Sequence, residues 1–315
     1  MDTPETNGIE KLYAAIETIQ PGLEKRRRKF LLVFLGAVVL IVSGITVLAF
    51  MVTGSTQNTL PFVILASLLL TYITLIILNG MYRKSTKKKL FEDLSHGTGL
   101  DFLPEGVFPV SDLDVHKIIP PHDKEEIEDG FKGVYHGIPV SFQEMVFSDL
   151  ERDPTPGPNN RKRYRELPVF QGLAVRITLP RGLDGHTVVA SRSVFETYLR
   201  ARFSAFQRVK LVSNKFEKLF DVLGTDQVEA RVVLTPSFME KFMETGKILR
   251  SRWMQASFRD HEIVLLYERR SPSFEIGILL LPLTAPRLKK TVQEIETIMQ
   301  ILDLLRKNPQ FGLIQ

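Results

Sequence analysis

The chain has no cysteine, which excludes disulfides, thiolate zinc sites, iron–sulfur clusters and cysteine nucleophiles. Two long stretches lack charge altogether. Phe30 to Val52 reads FLLVFLGAVVLIVSGITVLAFMV; Phe62 to Leu78, closed by Asn79-Gly80-Met81, is shorter and equally free of Asp, Glu, His, Lys and Arg. At ~1.5 Å rise per residue such runs reach across a ~30 Å hydrocarbon core, where a helix satisfies its own backbone groups. Without ionisable groups inside the spans, an ion or proton pathway through this pair alone is not expected. A cleaved signal is not expected either: the apolar run is too long, no small-residue cleavage site follows it, and a second span arrives within about ten residues.

The loop between the runs, Thr53 to Pro61, carries no basic residue. Lys25, Arg26, Arg27, Arg28 and Lys29 stand before the first run, and Arg83, Lys84, Lys87, Lys88 and Lys89 after the second. This asymmetry predicts a transmembrane hairpin with both termini cytoplasmic, and makes these ten residues candidate contacts to anionic head groups of the lipid bilayer. They also account for the basic balance, since the net charge of +5 becomes −5 without them. The rest of the chain is mildly acidic, so nucleic acid is not expected as a partner; membrane or cytoplasmic proteins are. Gly36, Ser43, Gly44, Ala66 and Ser67 suit close packing of the two helices. Ahead of them, Ile9, Leu12, Tyr13, Ile16 and Ile19 recur at helical spacing in a short amphipathic segment that Pro21-Gly22 should interrupt.

Residues 1–29 thus read as a cytoplasmic amphipathic segment with a basic flank, 30–81 as the hairpin, and 82–315 as a cytoplasmic α+β domain. Arg83 to Glu92 continues the second helix, with Leu90, Phe91 and Leu94 as a contact face. Phe131–Tyr135 and Ile138–Phe147 flank His136-Gly137 and read as a β-hairpin. Asp153 to Arg165, dense in Pro, Asn, Gly and charge, reads as an exposed loop whose Arg161, Lys162, Arg163 and Arg165 form a basic patch. Strands follow at Phe170–Pro180, Thr187–Ala190 and Val209–Val212. Thr235 before Pro236 predicts a helix N-terminus, with Gly246 as its stop. Met254–Phe258 and Ile263–Tyr267 read as a hairpin turning through Arg259–Glu262, and Phe274–Leu280 as a further strand. The C-terminal helix, about Pro286 to Arg306, carries an apolar stripe of Leu288, Val292, Ile295, Ile298, Met299, Leu302 and Leu305. The fold expected is α+β: a transmembrane helical hairpin, then a mostly antiparallel β domain with a short helix and a C-terminal amphipathic helix.

Motifs that carry chemistry are scarce. No HExxH, G-x-S-x-G elbow, Gly-rich phosphate turn or kinase set is present, so no catalytic residue, metal ligand or cofactor is assigned. Six histidines are scattered at His96, His116, His122, His136, His186 and His261. His116 and His122 near Asp123, Glu125 and Glu126 can be assembled into a metal site on paper, but the stretch reads as an acidic loop. Glu217, Asp221, Asp226 and Glu229 are acids without a geometry, and Trp253 is the single tryptophan.

Two segments, FQGLAVRITLP (Phe170 to Pro180) and FEKLFDVLGTDQVEARVVLTPSFMEKF (Phe216 to Phe242), follow the basic-flanked hairpin. In this order they resemble the bacterial family catalogued as domain of unknown function 3137, over most of the chain from the hairpin to Phe274. The resemblance implies a multi-pass protein of the bacterial inner membrane. It brings no catalytic residues, and the patch at Arg161 to Arg165 is not a feature of that family. The expectation is a membrane-anchored interaction or scaffold domain, the alternatives being an enzyme acting on a lipid or envelope precursor at the cytoplasmic leaflet, and an accessory subunit of a transport or secretion assembly.

Overall fold

The structure, a computed structural model, describes residues 6–54, 60–153, 163–194, 202–203, 205–307 and 311. The chain divides into two compact units, one made of Met1–Gly97 with Glu275–Thr291 and the other of Thr98–Phe274 with Val292–Gln315.

The first unit is built on two long helices, α1 (Thr6–Thr53) and α2 (Leu60–Thr98). Pro21 lies inside α1 and does not interrupt it. A proline removes one hydrogen bond of the ladder, and here the missing bond falls at an exposed position of a helix whose remaining ladder continues. The two helices meet through Phe34 and Tyr82, with Phe30, Leu31, Val38, Leu75 and Leu78 packed against them. Of the small residues, Ser67 of α2 is buried and Ala66 half-buried, but those of α1 do not make the close approach expected of them. A Cβ on Gly36 or Gly44 would meet nothing within 4 Å, and the Ser43 hydroxyl donates to Val39 O of its own helix at 2.8 Å. Bulky apolar side chains set this spacing instead. Leu90, Phe91 and Leu94, the expected contact face, are buried.

The second unit is a sheet with all pairings antiparallel. Its first elements are β1 (Leu100–Leu103), a 3-10 turn (Val110–His116), β2 (Lys124–Tyr135) and β3 (Ile138–Asp153). His136 and Gly137, at φ 48° and 83°, make the tight turn between β2 and β3 that the sequence signals. Then come β4 (Arg163–Ser191), a single helical turn α3 (Arg192–Val194), β5 (Gln207–Arg208), α4 (Asn214–Leu219), β6 (Phe220–Gly224), α5 (Gln227–Val233), α6 (Pro236–Ile248), β7 (Met254–Glu268) and α7 (Ala285–Arg306).

β7 doubles back on itself. Arg252 N donates to Glu268 O at 2.9 Å and Glu268 N to Trp253 O at 3.0 Å, so the two ends lie side by side and the reversal falls at Arg259–Glu262, where Asp260 has φ 51°. β4 pairs through Gly172–Thr178 with the second arm and through His186–Ala190 with the first, and its register breaks on either side of Leu183, where it passes over the hairpin tip. Gly172 is required in that pairing, because a Cβ there would run into the Tyr267 carbonyl. On its outer edges β4 pairs with β3 along Arg163–Ile177 and with β6 along Thr187–Ser191.

The core lies on both faces. One face gathers Phe147, Phe170, Ala174, Val188, Val264 and Leu266. On the other, α6 places Phe238 against Phe258 and Phe242 against Tyr267, at ring separations of 5.3 and 5.8 Å. Every member of the expected α7 stripe is buried.

Three further expectations are corrected. Phe274–Leu280 is not a strand, because side chains take its N–H groups: Phe274 N donates to Glu294 at 2.8 Å and Leu279 N to Asn79 Oδ1 at 2.8 Å. Val209–Val212 is likewise irregular, and the short strand there is Gln207–Arg208. Gly246 does not stop α6, which runs to Ile248; it lies against the Met254 thioether, which a Cβ there would push aside. The Thr235 cap is as expected, its side chain accepting from Phe238 N at 3.2 Å.

Candidate functional site

The ten basic residues fall into two groups. Arg27, Arg83 and Lys87 turn inward to hold the stretch 275–283 of their own unit. Arg27 Nη1 donates to Leu279 O at 2.8 Å while Nε and Nη2 grip Glu24, each at 2.8 Å. Arg83 pairs with Glu275, which Lys87 also approaches at 3.5 Å. These cations therefore have structural partners and are not available to a head group. Lys25, Arg28, Lys29, Lys84, Lys88 and Lys89 are exposed, and Arg26 is half-buried. Lys25, Arg26 and Lys29 of α1 and Lys89 of α2 border one groove of about 450 Å³, beside Ile19, Leu23 and Phe30 and with Asp93 at its edge. Lys89 is held by Asp93 at 2.6 Å, and an apolar floor bordered by the remaining cations suits an anionic group attached to a hydrocarbon.

A second constellation lies in the sheet unit, at the tip of the β7 hairpin, and spacing along the chain gave no hint of it. The Ser257 hydroxyl sits between His116 Nδ1 and His186 Nε2, at 2.9 Å from each. His116 Nε2 reaches Glu262 at 3.2 Å; Arg176 Nε holds the same carboxylate at 2.8 Å, and its Nη1 holds Asp112 at 3.0 Å. One proton arrangement satisfies the chain with both imidazoles neutral: His116 Nε2–H donates to Glu262, Ser257 donates to His116 Nδ1, and His186 Nε2–H donates to Ser257. Burial holds both histidines in that state. It lowers His116 below its ordinary value against the pull of Glu262, and brings His186 to about 4, with Arg259, His116 and Lys117 adding to the effect. Serine, histidine and acid in a row suggest acyl transfer, but Ser257 is 0% exposed and its oxygen is enclosed by two rings. The group serves as a polar clamp joining the 3-10 turn, β4 and both arms of β7.

His122 does not join His116: it contacts Pro120 O at 2.9 Å and Glu125 at 3.4 Å and stacks on Phe147, so the metal grouping does not assemble. Asp226 caps α5, accepting from Val228 N and Glu229 N; Glu217 accepts from Leu211 N at 2.7 Å; Asp221 pairs with Arg208 at 2.7 Å. Of the basic patch, Arg161 and Lys162 lie outside the described residues, and Arg165 pairs across the β3–β4 hairpin with Glu151 at 3.2 Å.

Against known families, β4 onward is the informative part. Residues 168–307 match the family described as protein of unknown function (DUF3137). The DUF3137 match takes in Arg176, His186, Ser257 and Glu262 of the clamp, both arms of β7 and α7; it begins after the two long helices and after His116. No curated protein matches. Among solved structures, the crystal structure of the mycobacterial trehalose monomycolate transport factor A, TtfA, is similar over 70% of this chain and 92% of its own, at 12% sequence identity and a TM-score of 0.34.

Proposed function

We propose that this is a membrane-anchored interaction or scaffold protein of the bacterial inner membrane, tethered by α1 and α2 with both termini cytoplasmic, its exposed lysines and arginines resting on anionic head groups. The observation that carries the anchor is the exposure of the apolar runs. Leu40 is 73% exposed, Phe62 74% and Met51 77%, and the most apolar window of α1 is 0% buried within the protein. A core helix of a water-soluble protein buries such residues; here only lipid or another apolar partner would cover them. The uncharged loop between two basic flanks supports the orientation. The interaction reading, in preference to chemistry, is supported by the sealing of the Ser257 group, whose nucleophile no substrate reaches.

Membranes washed with alkaline carbonate test the anchor, and retention in the pellet is the expected result. Cross-linking in intact cells, followed by purification in detergent, tests the scaffold role: a stoichiometric partner protein should accompany the chain. Release by carbonate would remove the first claim, and recovery of the chain alone the second.

A further inference from the structure

At the end of the β7 hairpin opposite its tip, the cavity between Phe170 of β4, Trp253 and Glu268 measures about 620 Å³. That is within the usual range for a small-molecule site, roughly 300–1,000 Å³. Three kinds of chemistry meet there. Trp253 is half-buried, with Phe170 packed at 5.3 Å, and offers a flat aromatic wall. Arg252, Arg269 and Arg270 also line the cavity, so guanidinium groups outnumber the one carboxylate, that of Glu268. Glu268 is 6% exposed; Arg252 holds its Oε1 at 3.1 Å, while Oε2, although buried, has no hydrogen-bond partner among the described residues. Arg269, fixed by Glu294 and Ser273, likewise has a buried Nε without a partner among them. A buried acceptor left unmade is costly, about 1–3 kcal/mol, so the unmet oxygen of Glu268 in the wall of this cavity is a reason to look for a ligand.

We infer that this cavity binds a purine nucleotide, the ring lying on Trp253, a ring or exocyclic N–H donating to Glu268 Oε2, and the phosphates meeting Arg252 and Arg270. The chemistry favours this class over simpler ones. A free phosphate answers the guanidinium groups and leaves Glu268 unmet. An acyl chain answers the indole alone. A nucleotide supplies donor, plane and anion together. The site is separate from the basic groove of the helical unit and does not depend on the anchoring proposal.

Because Trp253 is the only tryptophan, its fluorescence in the full-length protein in detergent reports this site without interference. Titration with ATP and GTP should give saturable quenching and a raised unfolding temperature for at least one of them. Phosphate and pyrophosphate at the same concentrations should do neither. Arg270→Ala, at an exposed position, should weaken the nucleotide roughly tenfold, and Trp253→Phe should weaken binding read by equilibrium dialysis with labelled nucleotide. Absence of saturable quenching and of any thermal shift at millimolar nucleotide overturns the inference. So does equal binding of pyrophosphate and ATP, or nucleotide binding that both variants leave unchanged.

Discussion

Ser257 satisfies two imidazoles at once, so its loss should be felt twice. Ser257→Ala leaves His116 Nδ1 and His186 Nε2 buried without their partner, and denaturant unfolding should show a loss of about 2–3 kcal/mol. The same group sets a pH dependence. His186 titrates at about 4 in the fold and near its ordinary 6.5 when unfolded, so between those values the unfolded chain binds the extra proton. Stability from this residue is complete above about 6.5 and declines as the pH falls toward about 4, by up to about 2–3 kcal/mol. Unfolding curves across that range should flatten in His186→Gln. Tyr267 makes the opposite case. It is fully buried, burial pushes its phenol well up, and its hydroxyl has no partner among the described residues. Tyr267→Phe should therefore be neutral or stabilising by about 1 kcal/mol in the same assay, since nothing is lost with the hydroxyl.

At the scale of elements, the segment after β7 shows how side chains replace a ladder. Glu294 of α7 pairs with Arg269 at 2.7 Å and accepts from Phe274 N at 2.8 Å, while both oxygens of Glu144 accept from Ser273 N at 3.0 Å. Glu294→Ala strands a buried guanidinium and an amide together, and should cost about 3–5 kcal/mol in denaturant unfolding, against about 1 kcal/mol for the half-buried cap change Thr235→Ala. This contrast also explains what was legible in the sequence. Thr235-Pro236, His136-Gly137 and the polar run Arg259–Glu262 each act through neighbours a few residues away, so a local reading found the helix start and both hairpins. Phe274–Leu280 alternates like a strand, but its partners are Glu294 and Asn79, twenty and two hundred residues distant. The Ser257 clamp was invisible for the same reason, His116 being 141 residues away and His186 71. Gly246 misled by its usual role at helix ends, because its closeness to the Met254 side chain belongs to packing.

For the whole molecule, the missing cysteine becomes a tool. A single thiol introduced anywhere is the only one in the protein, so labelling of intact cells with a membrane-impermeant maleimide reads sidedness against no background. The proposed orientation puts the loop between the spans outside the cytoplasm, and the sheet unit within it. Gln57→Cys in that loop should therefore label in whole cells. Val212→Cys, at a position 93% exposed, should label only after permeabilisation. The basic residues explain why the arrangement should be robust. Even with Arg27, Arg83 and Lys87 committed to Leu279 and Glu275, exposed cations remain on both helices at this end, and the loop carries none to oppose them. Orientation should accordingly survive Lys25→Ala or Lys88→Ala alone, since the bias is shared among many charges. It should weaken when Lys25, Arg28, Lys29, Lys84, Lys88 and Lys89 are all neutralised, and the labelling of Val212→Cys in intact cells would then rise. Labelling of Val212→Cys in the unaltered background, or protection of Gln57→Cys, would reverse the proposed topology, and with it the assignment of the lysine groove to the cytoplasmic leaflet.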